Sequence, residues 1–205
     1  MGLDKGDFND VQKDILKEIG NIGIGSATTA MSFMFHSKLT VDFTKVLALE
    51  FDEVLRLLGG EDELAVSVLS VFEGDADGML LFIMKKDQAD NLVNMMMQTH
   101  EQIEGYSDMQ QSAVKETGNI IGGSYLAALE SFTGLKLRLT PPQICIDMAG
   151  AILSVPVIQF GQTGDKAFLV ESSFDDEEYD INGFLLMVSE FDSYEKMCAV
   201  FFPEG

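Results

Sequence analysis

The chain has 205 residues, of which 46% are hydrophobic and 23% charged, a composition typical of a folded globular protein rather than a disordered one. Its formal net charge is -21 at pH 7, from 34 acidic and 13 basic residues. A surface this acidic repels phosphate backbones and anionic lipid, which argues against nucleic acid and membranes as partners. No basic segment followed by an apolar run opens the chain, so we predict no signal peptide and a cytoplasmic protein.

The predicted elements of the first half are a helix, a strand, a short helix, a hairpin and a helix. The hydrophobic pattern places them at residues 10–35, 39–49, 52–58, 65–72 with 79–84, and 87–98. The turn-rich sequence EGDADG joins the hairpin strands, and Asp87 is the expected N-cap of the last helix. Residues 19–37 carry no Asp, Glu, Lys or Arg, but their glycines and hydroxyls indicate a buried helix rather than a membrane span.

The second half repeats this order. Its predicted elements are a helix, a strand, a short helix, a hairpin and a helix, at residues 107–132, 135–146, 147–153, 166–174 with 183–189, and 193–202. Residues 175–180, DDEEYD, are read as a solvated hairpin tip.

Two sequence echoes indicate an internal duplication. EIGNIGIGS at residues 18–26 and ETGNIIGGS at residues 116–124 are identical at six positions, at an offset of 98. GMLLFIMKKD from Gly78 and GFLLMVSEFD from Gly183 form a second pair at an offset of 105. We therefore predict an α/β (α+β) fold in one domain, built from helix-strand-strand-strand-helix units at about 8–100 and 106–203. The units are expected to be related by a pseudo-twofold axis, with the two long helices on one face of the sheet.

Each long helix carries a polar stripe. Asp14, Glu18 and Asn21 are spaced i, i+4 and i+7, so they fall within an arc of about 60° on the helix. The second helix repeats this spacing with Ser112, Glu116 and Asn119. Neighbouring apolar residues are expected to pack into the core, namely Val11, Ile15, Ile19 and Ile22 in the first helix and Val114, Ile121, Tyr125 and Phe132 in the second.

The chemistry of these stripes is limited by what the chain lacks. Cys145 and Cys198 lie in apolar contexts typical of buried cysteines in a reducing compartment, and the two histidines have no cysteine or histidine at ligand spacing. An amide is no general base, but it donates and accepts hydrogen bonds and can hold a water in line with an electrophile. The stripes are therefore predicted to complete an active site on another protein, the alternative being an exposed polar stripe with no role.

Glycines crowd both asparagines. They are Gly20, Gly23 and Gly25 in the first helix and Gly118, Gly122 and Gly123 in the second. A glycine inside a helix costs about 1 kcal/mol relative to alanine, so something must offset these positions. Close helix–helix contact and close approach of a partner's backbone are both compatible with the sequence.

At these residues the chain resembles the CheC/CheX/FliY family of response-regulator phosphatases. That family's pattern is Asp or Ser, three residues, Glu, two residues, Asn, 22 residues and Pro, which the second half follows from Ser112 to Pro142. The first half has Thr44 at the place of the proline. GNIG, GNIIGGSYLAAL and PPQICIDM are also similar to the family, and the likeness covers essentially the whole chain.

Two motifs on one chain favour the CheC branch over CheX, which carries one motif and dimerises. Neither a C-terminal flagellar-switch domain nor an N-terminal CheY-binding tail, as in FliY, is expected.

The resemblance implies a chemotaxis hydrolase that removes the phosphoryl group from the aspartyl phosphate of CheY. Asn21 and Asn119 would position the attacking water, and Glu18 and Glu116 would pair with a lysine of CheY. It implies that the chain binds no cofactor, that Mg²⁺ belongs to CheY, and that the protein is a monomer. It also implies binding to the receptor deamidase CheD, with Asp147 as a docking residue.

Two other functions are also compatible with the sequence. One is a non-catalytic adaptor that binds CheY or CheD, and the other is a structural protein of the flagellar motor. Because proline restricts the chain and the residue before it, and Thr44 replaces it in the first half, we expect the second site to be the stronger one.

Overall fold

The computed structural model describes residues 10–35, 40–160, 166–175 and 180–189, together with Ser193 and Lys196. The helices in these ranges are α1 (Asp10–Phe35), α2 (Phe51–Leu58), α3 (Lys86–Met97), α4 (Asp108–Thr133) and α5 (Ala149–Phe160). The strands are β1 (Thr40–Glu50), β2 (Leu64–Gly74), β3 (Gly78–Lys85), β4 (Leu137–Leu139), β5 (Gln143–Met148), β6 (Lys166–Asp175) and β7 (Asp180–Ser189). Of the tip predicted at 175–180, residues 176–179 lie outside the described residues, while Asp175 ends β6 and Asp180 begins β7. The predicted last helix lies outside them too, apart from Ser193 and Lys196.

The strands form one antiparallel sheet in the order β1-β6-β7-β3-β2, with β4 and β5 both pairing with the far side of β2. The strand that follows α1 thus pairs with a hairpin strand of the second half, and β5 pairs with a hairpin strand of the first half. The predicted combination of helices with a sheet is confirmed, while the internal duplication and the twofold axis stay predictions.

Helices cover both faces of the sheet. α1, α3 and α4 pack on one face and α2 and α5 on the other. Strand β3 shows why its sequence is continuously apolar, since side chains alternate between two buried faces. Its residues toward α3 and α4 are Leu80, Phe82 and Met84, and those toward α2 and α5 are Met79, Leu81 and Ile83. No helix in the described ranges has the length and apolarity that crossing a membrane requires.

Some predicted boundaries and caps are wrong. The single strand predicted over 135–146 is two strands, because Pro141 and Pro142 interrupt it. α5 starts at Ala149, so Asp147 belongs to β5 rather than to a helix. Asp87 does not cap α3: the N-cap is Lys85, and the Asp87 carboxylate instead accepts a hydrogen bond from the Gln88 amide at 2.8 Å.

Three residues expected in the core are exposed. Ile22 is 49% exposed because it follows Glu18 by one helical turn and so shares its outer side. Phe132, in the last turn of α4, is 46% exposed. Cys145 is exposed because β5, although apolar in sequence, lies at the edge of the described sheet. Ile19, Val114, Ile121 and Tyr125 are buried as predicted, whereas the side chains of Val11 and Ile15, and all of Cys198, lie outside the described part.

Two of the crowded glycines are explained by packing. A Cβ on Gly23 would lie 2.9 Å from the carbonyl oxygen of Ser124 and 3.1 Å from the Cα of Tyr125, so α1 meets α4 backbone to backbone. A Cβ on Gly118 would lie 2.5 Å from the Cβ of Val68, so α4 rests directly on β2. Close internal contact, the first of the two explanations, therefore holds at Gly23 and Gly118.

Thr44 interrupts the pairing of β1 with β6. Phe43 pairs with Ser172 and Lys45 with Glu171, so Thr44 is an extra residue with no opposite partner. Such a β-bulge bends and twists a strand locally.

Pro142, at an offset of 98 from Thr44, lies at a corresponding interruption. β4 ends at Leu139 and β5 begins at Gln143. Between them Thr140 is tied to Val71: its amide donates to the Val71 carbonyl at 2.8 Å, and its hydroxyl accepts from the Val71 amide at 2.9 Å. In each half, an outer strand is therefore interrupted at the last position of the family pattern. The first half has a bulge at Thr44, and the second has a break around Pro142, which has no amide hydrogen to donate to a neighbouring strand.

We predict that Gly118→Ala lowers the free energy of unfolding by roughly 1 to 3 kcal/mol, because the new methyl group overlaps Val68. This net loss is expected despite the better helix propensity of alanine. Chemical denaturation of Gly118→Ala, Val68→Gly and the double variant measures the coupling between the two positions, because only glycine at 68 removes the Cβ that the new methyl group would meet. If the Gly118→Ala penalty does not shrink in the Val68→Gly background, the proposed contact is wrong.

We predict that Thr44→Pro is tolerated better than proline at either of the next two positions. Successive residues of a strand point their amides in opposite directions, so at least one of Lys45→Pro and Val46→Pro removes a hydrogen bond to β6. That variant should lose about 3 kcal/mol or more, and Thr44→Pro clearly less, in the same denaturation measurement. Equal losses for Thr44→Pro and the harsher control would contradict an unpaired bulge residue.

Candidate functional site

The α4 stripe lies on the outer side of the helix. Glu116 is exposed and Asn119, three residues on, is half-buried. Within the described part of the chain, neither side chain makes a hydrogen bond or ion pair with another residue. A carboxylate and an amide side by side without internal partners remain available to a group from outside.

Ser112 lies on the same stripe but uses its hydroxyl proton internally. Its Oγ donates to the carbonyl oxygen of Asp108, one turn earlier, at 2.8 Å. The exposed hydroxyl oxygen still has acceptor capacity. Ser112 therefore fits a supporting position better than a chemical one.

The α1 stripe repeats the arrangement with more exposure. Glu18 and Asn21 are both exposed, and neither has a hydrogen bond or ion pair in the described part of the protein. The predicted third member, Asp14, lies in α1, but its side chain is outside what the structure describes. On both α1 and α4, the asparagine thus lies three residues after a glutamate that has no partner in the described part, and the two helices pack against each other.

The opposite side of α4 holds the stripe in place. Val114, Ile121 and Tyr125 are fully or almost fully buried. Thr117, also buried, donates its hydroxyl to the Ala113 carbonyl at 3.1 Å, so it leaves no unsatisfied polar group there. Because these side chains are fixed against α1, α3 and the sheet, the backbone that carries Glu116 has little freedom to move.

The start of α4 is anchored as well. Tyr106 donates its hydroxyl to Asp90, which also accepts from Lys86 at 2.7 Å. Lys86 donates in addition to the carbonyl of Ile103 at 2.7 Å. Burial, with the hydrogen bond to Asp90 and its negative charge, raises the pKa of Tyr106, so the phenol stays protonated as a donor. Ser107 then caps the helix through a reciprocal pair of bonds with Gln110.

Pro142 belongs to a connection that runs beside α4. A Cβ on Gly122 would lie 4.0 Å from Leu139, at the end of β4. Gly122 follows Asn119 by three residues, so the connection that contains the half-buried Pro142 starts, at Leu139, next to this part of α4. The side chain of Thr44, its counterpart in the first half, is outside the described part.

Sequence reasoning missed one feature of the stripes and left another undecided. Met109 is 71% exposed and precedes Glu116 by seven residues, a spacing that places an apolar side chain at the head of the α4 stripe. Gly25 and Gly123, four residues after each asparagine, have no atom within 4 Å of the position that a Cβ would take. Heptad spacing from Glu116 would have identified Met109, but only the packing separates these glycines from Gly23 and Gly118.

No self-contained active site is found among the described residues. They contain no group of three His, Cys, Asp or Glu side chains able to hold a metal ion. Partial burial, and then the charge of Asp147, raises the pKa of the Cys145 thiol, which disfavours a thiolate nucleophile. Two shallow clefts of about 330 and 190 Å³ are lined by other residues than the stripes. In the described part of the protein, the stripes are thus open helix surfaces with no metal cluster or activated nucleophile beside them.

Asp147 lies away from both stripes. It pairs with Ala65, whose side chain faces α2 and α5, so Asp147 points to the face of the sheet opposite α1 and α4. It is exposed, and its carboxylate accepts a hydrogen bond from the Met148 amide at 2.8 Å. Any partner docked at Asp147 would leave the stripes free.

Comparison with known proteins gives two family matches and a related protein of similar length. Residues 66–160 match the family model described as chemotaxis phosphatase CheX, and residues 11–42 match the CheC-like family. The protein described as CheY-P phosphatase CheC from Bacillus subtilis (strain 168) is 35% identical over 191 residues, covering 91% of each chain.

Solved structures share the fold. Thermotoga maritima FliY superimposes with a TM-score of 0.74 at 22% identity, covering 97% of this chain and 99% of that one. The FliM middle domain from H. pylori gives a TM-score of 0.68 at 10% identity, covering 94% of this chain and 99% of that one. At these identities the likeness concerns the fold alone. The 35% identity over 91% of both chains is what shows that the protein belongs to the CheC family of CheY-P phosphatases.

Proposed function

We propose that this protein hydrolyses the aspartyl phosphate of CheY, using two separate helix faces. The observation that carries the proposal is the pairing of an exposed glutamate with an asparagine on α4, both without internal partners, and its recurrence on α1. Membership of the CheC family supports CheY as the substrate protein. An open, convex stripe suits a substrate that is itself a folded domain, because such a partner supplies the walls of the site.

The proposed mechanism assigns one task to each side chain. The carboxamide of Asn21 or Asn119 donates to and accepts from a water, which it holds in line with the phosphorus. The water attacks phosphorus, the bond to the aspartyl oxygen breaks, and inorganic phosphate leaves with the carboxylate of CheY restored. Glu18 and Glu116 pair with a lysine of CheY and so fix the docking angle. Mg²⁺ held by CheY neutralises charge on the phosphoryl oxygens, as in other phosphoryl transfers.

We further infer that the two sites come from a duplicated unit and that both are active in a cytoplasmic monomer. The bulge at Thr44 and the break around Pro142, at an offset of 98, support an equivalent backbone beside each stripe. Half-burial of Asn119 restricts its rotamers more than the exposure of Asn21 does, which favours a better oriented water at the second site.

We predict that Asn119→Ala loses more phosphatase activity than Asn21→Ala, and that the double variant falls roughly 100-fold. The measurement is the decay of phosphorylated CheY with catalytic amounts of each variant. Ser131→Ala, an exposed position near the end of α4, is the matched control and should keep full activity. Phosphate release by the double variant at the wild-type rate would refute the roles of the asparagines. Equal losses for the single variants would refute the ranking.

A non-catalytic adaptor that binds CheY or CheD is the second candidate. The observation in its favour is the exposed edge strand β5, where Ile146, Asp147 and Met148 are all accessible. We propose that this edge binds CheD while the stripes act on CheY, which combines the two roles in one molecule.

We predict that Asp147→Lys weakens CheD binding at least tenfold and leaves the decay of phosphorylated CheY unchanged. A reversed charge opposes a partner selected for an acidic position, and Asp147 lies on the other face of the sheet from the stripes. Titration of purified CheD against each variant measures the affinity, with Asp52→Lys, an exposed first-turn residue of α2, as the control. Unchanged affinity would remove Asp147 from the docking surface.

A further inference from the structure

The helix positions one turn beyond each asparagine are occupied by glycine. Gly25 follows Asn21 by four residues, and Gly123 follows Asn119 by four residues. The two glycines are themselves 98 residues apart, in the same place of the two matching sequences. Four residues correspond to about 6 Å along a helix and bring a side chain back to the same side.

Internal packing does not account for these two glycines. A Cβ on Gly23 or Gly118 would collide with another part of the protein, which explains why those positions lack a side chain. At Gly25 and Gly123 a Cβ would meet nothing within 4 Å. Both are mid-helix positions, where glycine weakens the helix relative to alanine. The chain therefore carries two destabilising residues that no contact within the described protein requires.

A side chain at these positions would intrude on the site. The Cα–Cβ bonds of a helix tilt toward its N-terminus, so a side chain on residue 123 would lean toward Asn119, and one on residue 25 toward Asn21. A Cβ would project about 1.5 Å from the backbone into that space. In the proposed mechanism a partner brings a phosphorylated aspartate to the asparagine, so its loop would approach the helix surface next to this turn.

We propose that Gly25 and Gly123 are specificity-determining positions, which provide the clearance that lets the phosphorylated loop of the receiver domain reach the asparagine. This inference rests on the proposed phosphatase function and names two further residues of the same site. It predicts that adding a side chain at either glycine stabilises the fold and impairs the reaction at the same time.

The test uses the Asn21→Ala protein, in which only the α4 site is expected to act. In that background Gly123→Ala should raise the melting temperature by about 2 to 4 °C, because alanine favours the helix and meets no obstacle. Its kcat/KM for phosphorylated CheY should fall, and Gly123→Leu should lower it at least roughly tenfold, mainly through a higher KM. Ala127→Leu, at the exposed position one turn further on, is the size-matched control and should stay within about twofold of its parent.

Three outcomes decide between the possibilities. A graded loss from alanine to leucine, with unimpaired melting temperatures, supports the clearance role. Unchanged kcat/KM in both Gly123 variants, or an equal loss in Ala127→Leu, overturns it while leaving the phosphatase function intact. No acceleration of phosphate release by the Asn21→Ala protein with Gly123 intact, together with none by the unsubstituted protein, would refute the proposed function itself.

Discussion

The close contact between α1 and α4 determines how the rest of the site is presented. At Gly23 the two backbones approach so nearly that a single Cβ would lie 2.9 Å from the Ser124 carbonyl oxygen. At Gly118 the same helix α4 rests on Val68 of the sheet with equally little room. These two contacts set the position and rotation of α4, and the rotation decides which residues face outward. Glu116 and Asn119 stay accessible because the residues on the opposite side of α4 are buried in the core.

The two clefts found among the described residues lie away from the proposed site. Its proposed functional groups are an acid and an amide on an open helix, and the described residues offer neither a metal-binding cluster nor an activated nucleophile beside them. The same fold occurs in FliY at 22% identity and in a FliM middle domain at 10% identity, so the architecture alone does not identify the chemistry. The proposed chemistry therefore rests on particular side chains of α1 and α4 rather than on the fold.

Much of the fold was predictable because its signals are local. The helix at 10–35 was predicted with the bounds that the structure shows, and Ser107 begins α4 through a capping box that is visible in the sequence. The predictions of burial were wrong where the location of a residue, at a sheet edge or on the outer side of a helix, outweighs its apolar surroundings in the sequence. Cys145 lies in an apolar run yet is exposed at the edge of the described sheet, and Ile22 is apolar yet lies on the outer side of α1.

The amino-acid sequence by itself determined the two polar stripes, since the i, i+4, i+7 spacing of side chains on a helix follows from backbone geometry alone. It also indicated that Thr44 and Pro142 hold corresponding places. Only the tertiary structure decided what the glycines do, assigning Gly23 and Gly118 to packing and leaving Gly25 and Gly123 open. It likewise placed Asp147 on the opposite face from the stripes. The physical reason is that the atoms surrounding a glycine or a strand side chain come from residues far away in the sequence, and only the folded structure shows which they are.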